Sequence, residues 1–110
     1  MKIAGQEREL KYGVNSIRAL QKAINKTPAE IFNDGFDVSD FELGIHIIWA
    51  GLLWSNKKLT PDMIGNWIDA EPEKYEEALT EAINTFSDSF TRTLGVKPDE
   101  DEETGDDKKN

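Results

Sequence analysis

Among its 110 residues the chain has no cysteine and a single histidine, His46. Without cysteine there is no disulfide staple and no thiolate to act as nucleophile or ligand, a composition that suits a reducing compartment. A lone histidine with no cysteine beside it leaves zinc without its usual ligand set. His46 sits between Ile45 and Ile47 in the most apolar part of the chain. The expectation there is a partly buried, helix-edge histidine with one hydrogen bond. Serines are few and none has a plausible base beside it. Gly5 and Gly13 make no phosphate cradle, and the acidic C-terminal stretch lacks the alternating oxygens and central glycine of a calcium loop. The chain is therefore expected not to be an enzyme and to carry no metal and no cofactor. Long apolar runs are missing too. None approaches the roughly 20 residues that span a bilayer, and MKIAGQEREL has no signal-peptide core. A soluble cytosolic protein with no membrane partner is expected. Cations are also scarce: 13 Lys and Arg stand against 22 Asp and Glu, a formal net charge of −9. No basic stripe is visible, so nucleic acid is excluded as a partner, because that affinity is largely phosphate neutralisation.

What the chain does have is one unusually apolar helix, read from Ser39 to Trp54 as SDFELGIHIIWAGLLW. A surface helix of a small protein needs one apolar stripe. Here Phe41, Ile45, Ile48, Trp49 and Leu52 form one face, and Leu43, Ile47, Leu53 and Trp54 widen it. Such a helix is either wrapped by its neighbours or docks a partner. Ser39-Asp40-Phe41-Glu42 reads as a capping box opening it. Gly44 and Gly51 inside it each cost about 1 kcal/mol relative to alanine, which points to close approach of another helix.

The remaining elements are short. Ile3, a turn at Ala4-Gly5-Gln6 and Glu7 to Tyr12 read as a small hairpin, with Leu10 and Tyr12 on one face. An isolated hairpin is marginal in water, so this one lies on the helices or adds to a partner. If Ile3, Leu10 and Tyr12 serve only a partner, a chain starting at residue 14 still folds. Asn15 is the expected cap of a helix SIRALQKAIN, with Ile17, Leu20, Ala23 and Ile24 inward and Arg18 and Lys22 outward. Thr27-Pro28-Ala29-Glu30 is a capping box with proline in the first turn, and Gly35 ends that short helix. Thr60-Pro61-Asp62 repeats the signal for a helix carrying Met63, Ile64, Trp67 and Ile68. The last helix runs from about Glu73 to Leu94, with Tyr75, Leu79, Ala82, Ile83, Phe86, Phe90 and Leu94 in steps of three and four. Gly95 and Pro98 end it.

The predicted architecture is mainly α: a domain of four to five helices over residues 1–95, with a hairpin within residues 1–13. A disordered acidic tail follows over residues 96–110. Asp99 to Asn110 reads DEDEETGDDKKN, seven acids against two lysines. Such a tail either solvates an apolar protein or acts as an acidic arm that contacts a basic segment. Aromatic anchors are enriched in binding hot spots. Helical phase points to a groove near the central and last helices, with Leu53, Trp54, Trp67 and Phe90 as its candidate partner-binding residues. The double-faced central helix is equally suited to burial in a homo-oligomer.

Several segments in order also resemble a known family. These are Leu10-Lys11-Tyr12-Gly13-Val14-Asn15-Ser16-Ile17-Arg18-Ala19-Leu20, then Pro28 to Phe32, then Phe41-Glu42-Leu43 with Ile48-Trp49-Ala50-Gly51-Leu52-Leu53, then Leu59 to Asp69. Over residues 3–94 the chain resembles the tail assembly chaperones of long-tailed bacteriophages and prophages, and the related gene-transfer-agent tail proteins. The resemblance implies a small helical protein of the host bacterial cytoplasm, absent from the mature virion. It implies binding to the tape measure protein, which is kept soluble and assembled with tail tube subunits. It further implies a longer, frameshifted form that recruits the tail tube protein, with Lys108-Lys109-Asn110 as the end of the short form. The alternative reading is a structural head–tail connector or tail completion protein. A small regulatory module acting on the host is a third.

Overall fold

A computed structural model describes residues 1–95, and the acidic stretch and the expected disordered tail of residues 96–110 lie outside the described residues. The described residues form a two-stranded hairpin and five α-helices: β1 (Lys2–Ile3), β2 (Gln6–Glu7), α1 (Val14–Ile24), α2 (Pro28–Asp34), α3 (Phe41–Leu52), α4 (Pro61–Ala70) and α5 (Tyr75–Leu94). A single 3-10 turn, Pro72–Lys74, leads into α5. The strands pair antiparallel, Lys2 with Glu7 and Ile3 with Gln6. Their turn residues Ala4 and Gly5 both take positive φ, 54° and 76°, the geometry that two-residue hairpin loops require.

Helix starts follow local chemistry. The Thr27 hydroxyl accepts from the Glu30 N–H and the Glu30 carboxylate accepts from the Thr27 N–H, closing the expected box on α2. Thr60 caps α4 through the Met63 N–H. Two expected caps do not form. The Ser39 hydroxyl and N–H both donate to the Asp37 carboxylate, which holds Ser39 in the preceding turn. Asp40 takes over and accepts from the Leu43 N–H at 3.1 Å. Helix α1 begins two residues before its expected start, with Gly13 at the cap position and no side chain capping it. Asn15 lies inside the helix and its Oδ1 accepts from Arg18.

Helix α3 is the hub, packing against α1, α4 and α5. Seven of its twelve residues are buried: Leu43, Gly44, Ile47, Ile48, Ala50, Gly51 and Leu52. The buried face is therefore centred on Leu43, Ile47 and Ala50. The expected lead residue Phe41 is 60% exposed and rests on the Tyr75 ring at 5.3 Å. Both helix glycines answer to tyrosines. A Cβ on Gly44 would strike the Tyr75 hydroxyl of α5, and one on Gly51 would lie 2.6 Å from the Tyr12 ring and 2.7 Å from Leu10. The close neighbour at Gly51 is thus the N-terminal segment, not a helix.

That segment is core. Ile3, Leu10 and Tyr12 are all buried. Leu10 and Tyr12 follow the hairpin instead of belonging to it. The Lys11 N–H donates to the Gly51 carbonyl at 2.9 Å and the Tyr12 hydroxyl donates to the Ile47 carbonyl at 2.5 Å. Burial, with the charge of Glu81 adding to it, pushes the Tyr12 phenol far above its ordinary range. Helix α2 docks through an aromatic stack: Phe32 lies 5.6 Å from Phe86 and 5.0 Å from Phe90. In α5 the expected stripe is buried at Leu79, Ala82 and Phe86, with Ala78 and Ser89 buried beside it, whereas Leu94 is exposed. In α1 the expected inward Ala23 is exposed and Ser16 is buried.

Candidate functional site: an apolar groove with a cationic rim

Between the start of α1 and the end of α3 lies an open groove of about 560 Å³. Its walls are Gly13 to Ser16, Trp49, Leu53, Trp54 and Lys57. Its position follows from the chain path. Helix α3 ends at Leu52, and Leu53 and Trp54 enter the turn that follows. The N-terminal segment crosses Gly51 and delivers Gly13 and Val14 alongside them. Val14 is 58% exposed and Trp54 45%.

Three indole rings are fixed by different partners. Trp49 donates from Nε1 to the Leu59 carbonyl at 2.8 Å and meets His46 edge-on at 5.9 Å. Trp54 donates to the Glu9 carbonyl at 2.7 Å, and the Lys11 ammonium sits 4.3 Å from its ring centroid. Trp67 carries the Arg8 guanidinium at 4.3 Å, and Arg8 also donates to the Ile3 carbonyl. A cation over an indole face is favourable by about 0.5–1 kcal/mol at exposed sites. The rings at 54 and 67 are therefore held flat against the segment Arg8–Lys11.

Of the four residues expected to share a groove, Leu53 and Trp54 line one together. Trp67 is half-buried against the core under Arg8, and Phe90 belongs to the aromatic stack that docks α2. Val14, Trp49 and Lys57 line the groove as well and were not among those four. Val14 fell outside the expected helix, and Trp49 was read as part of the continuous stripe.

Among the described residues the groove carries cations and no carboxylate. Lys57 lines it, Lys11 covers Trp54, and Arg18 donates to Asn15 in the wall. The α1 N-terminus, with no capping side chain and no acid in its first turn, opens on the same side. The source is an asymmetry hidden in the net charge: residues 1–26 hold six cations against Glu7 and Glu9. The opposite character appears along α5, where a surface hollow is lined by Glu73, Glu76, Glu77 and Glu81.

His46 donates from Nδ1 to the Glu42 carbonyl within its own helix, at 2.7 Å. Among the described residues no group of three or more His, Cys, Asp or Glu side chains could hold a metal ion, and no helix is long and apolar enough to cross a membrane. The hairpin is closed by the Met1 ammonium, which donates to Glu7 at 2.8 Å and to the Arg8 carbonyl at 2.9 Å. Its hydrogen bond to Glu7 raises the amine above its ordinary value and lowers the carboxyl below its own. The groove thus offers another molecule an apolar slot with an aromatic floor and a basic edge. No family model, no curated protein and no solved structure matches the chain.

Proposed function

We propose that this protein is a tail assembly chaperone of a long-tailed phage or prophage, which binds the tape measure protein and keeps it soluble until tube subunits close around it. Two things support the reading. The first is the resemblance over residues 3–94. The second, which carries it, is the groove at Val14, Trp49, Leu53 and Trp54, an apolar surface that its own described residues leave open. A helix-in-groove contact of this kind covers an apolar stripe reversibly. Repeated copies along a long client gain avidity without tight single contacts.

In this reading the protein acts in the host cytoplasm and leaves before the virion is complete. Recruitment of the tail tube protein belongs to a longer, frameshifted product. Co-expression with fragments of a phage tape measure protein tests the proposal. The expected result is a soluble complex that is lost with Trp54→Ala, together with absence of the chain from purified particles by mass spectrometry. Fragments that stay insoluble whether or not the chain is present would overturn it. Stoichiometric recovery in virions would do so as well, and would favour a connector.

A further inference from the structure

The groove's apolar floor and its charged edge together specify more than a greasy contact. We infer that it takes an amphipathic helix of another chain whose apolar stripe is bordered by Asp or Glu side chains one turn from the anchor that enters between Val14 and Trp54. This deepens the chaperone reading by naming the chemistry of the client, and it rests on that reading only for which chain carries the helix.

The argument is one of complementarity. Residues 1–95 hold 15 Asp and Glu side chains against 10 Lys and Arg. Among the described residues, none of these carboxylates lies in the groove walls. Lys57 stands at one side and Lys11 lies over the Trp54 ring. Arg18 sits one turn along α1 from the wall residue Asn15, to which it donates at 3.0 Å. The positive end of the α1 dipole adds to this field. An approaching helix bordered by lysines would meet like charge at Lys11 and Lys57. One bordered by glutamates would meet opposite charge while its apolar stripe displaces water from Trp54 and Leu53. Rim charges of this kind select partners and raise association rates more than they add affinity. The acidic hollow on α5 repels the same ligand, so the preference also fixes which side of the molecule the client meets. A polyanion such as RNA is disfavoured because the cationic edge of the groove is short and the α5 face presents Glu73, Glu76, Glu77 and Glu81.

The experiment uses the full chain and two designed helical peptides with the same Leu stripe, one bordered by Glu and one by Lys, titrated against the tryptophan fluorescence. At low salt the Glu-bordered peptide is expected to bind about tenfold more tightly, the sum of a few exposed ion pairs. The gap should close near about 1 M salt, where the Debye length is about 3 Å. Lys11→Glu with Lys57→Glu should invert the preference. Both side chains are exposed, and an unchanged circular dichroism melt confirms the fold. Trp54→Ala should weaken both peptides alike. Equal affinity for the two peptides, or binding of neither, overturns the inference. Tighter binding to single-stranded RNA or to phosphatidylglycerol vesicles than to the Glu-bordered peptide overturns it as well. The chaperone reading is judged separately: selective peptide binding with an insoluble tape measure fragment sustains the docking chemistry and removes the phage client. A soluble tape measure complex with no peptide selectivity does the reverse.

Discussion

At the scale of single residues, two helix glycines and two tyrosines form one design. Gly44 admits the Tyr75 hydroxyl and Gly51 admits the Tyr12 ring. Alanine at either site gains about 1 kcal/mol of helix propensity and loses more to overpacking, which costs about 1–3 kcal/mol. Gly51→Ala is expected to be the worse, at about 2 kcal/mol net, because both Tyr12 and Leu10 are buried and cannot move aside. Gly44→Ala should cost about 1 kcal/mol. Tyr75→Phe should relieve much of that, since the hydroxyl it removes is the clashing group and is buried with no hydrogen-bond partner. Urea denaturation of the two single variants and the double variant measures the coupling. Tyr12 also makes the fold sensitive to alkali. Its phenol is raised by burial in the folded state and titrates near 10 when unfolded. A raised folded value means its contribution is complete below about pH 10 and is lost as pH climbs towards the folded value. Stability should therefore fall above about pH 10. The loss should be smaller in Tyr12→Phe, although that variant starts less stable for want of the bond to Ile47. Absorbance at the tyrosinate band, followed with helicity, shows whether ionisation and unfolding coincide.

At the scale of elements, what the sequence revealed was local and what it concealed was competition. Thr27 with Glu30, Thr60 with Pro61, Gly35 and Gly95 each mark a boundary that the structure keeps, because each acts within four residues of itself. The start of α3 was not legible, since Ser39 and Asp40 both satisfy a capping pattern. Only the turn at Asp37, which takes the Ser39 hydroxyl, decides between them. The buried face of α3 was misjudged for a related reason. A helix apolar on several sides has no single stripe to read, and its orientation is set by which neighbours arrive. The N-terminal segment left two readings open, packing on the helices or adding to a partner, and the described structure takes the first. Period-two alternation at Leu10 and Tyr12 suits a hairpin arm for a partner, yet Ile3, Leu10 and Tyr12 fill the core against Gly51 and Phe86. Removing residues 1–13 is therefore expected to abolish the cooperative fold. It strips three buried side chains, each worth about 1.5–3 kcal/mol, from a domain whose total stability is about 5–15 kcal/mol. A broad, non-cooperative thermal transition for the truncated chain is the predicted result. A sharp melt near that of the full chain would mean the segment is dispensable.

At the scale of the whole molecule, most of the apolar surface of α3 is satisfied internally, and the exposed large apolar side chains are spread over Val14, Val38, Phe41, Trp54, Met63 and Leu94. The candidate site was half legible for that reason. Leu53 and Trp54 stood out at the helix end, while Trp67 and Phe90 share their helical phase with core positions and were absorbed by Arg8 and Phe32. Charge was less legible still, because a net of −9 conceals a basic N-terminal quarter folded beside the groove. This separation gives a global observable. Over distances beyond about one Debye length the molecule is an anion, and at the indole rings it is not. Lys11 lies on Trp54 and Arg8 on Trp67, each at 4.3 Å. Iodide and caesium quench tryptophan by contact, so they report the local potential instead of the net charge. Iodide is expected to quench more efficiently than caesium at low salt, with most of the difference removed by Lys11→Gln and Trp54→Phe. Were caesium the better quencher, the acidic surface would dominate even at the rings. The groove would then lack the basic edge that gives it a choice of partner.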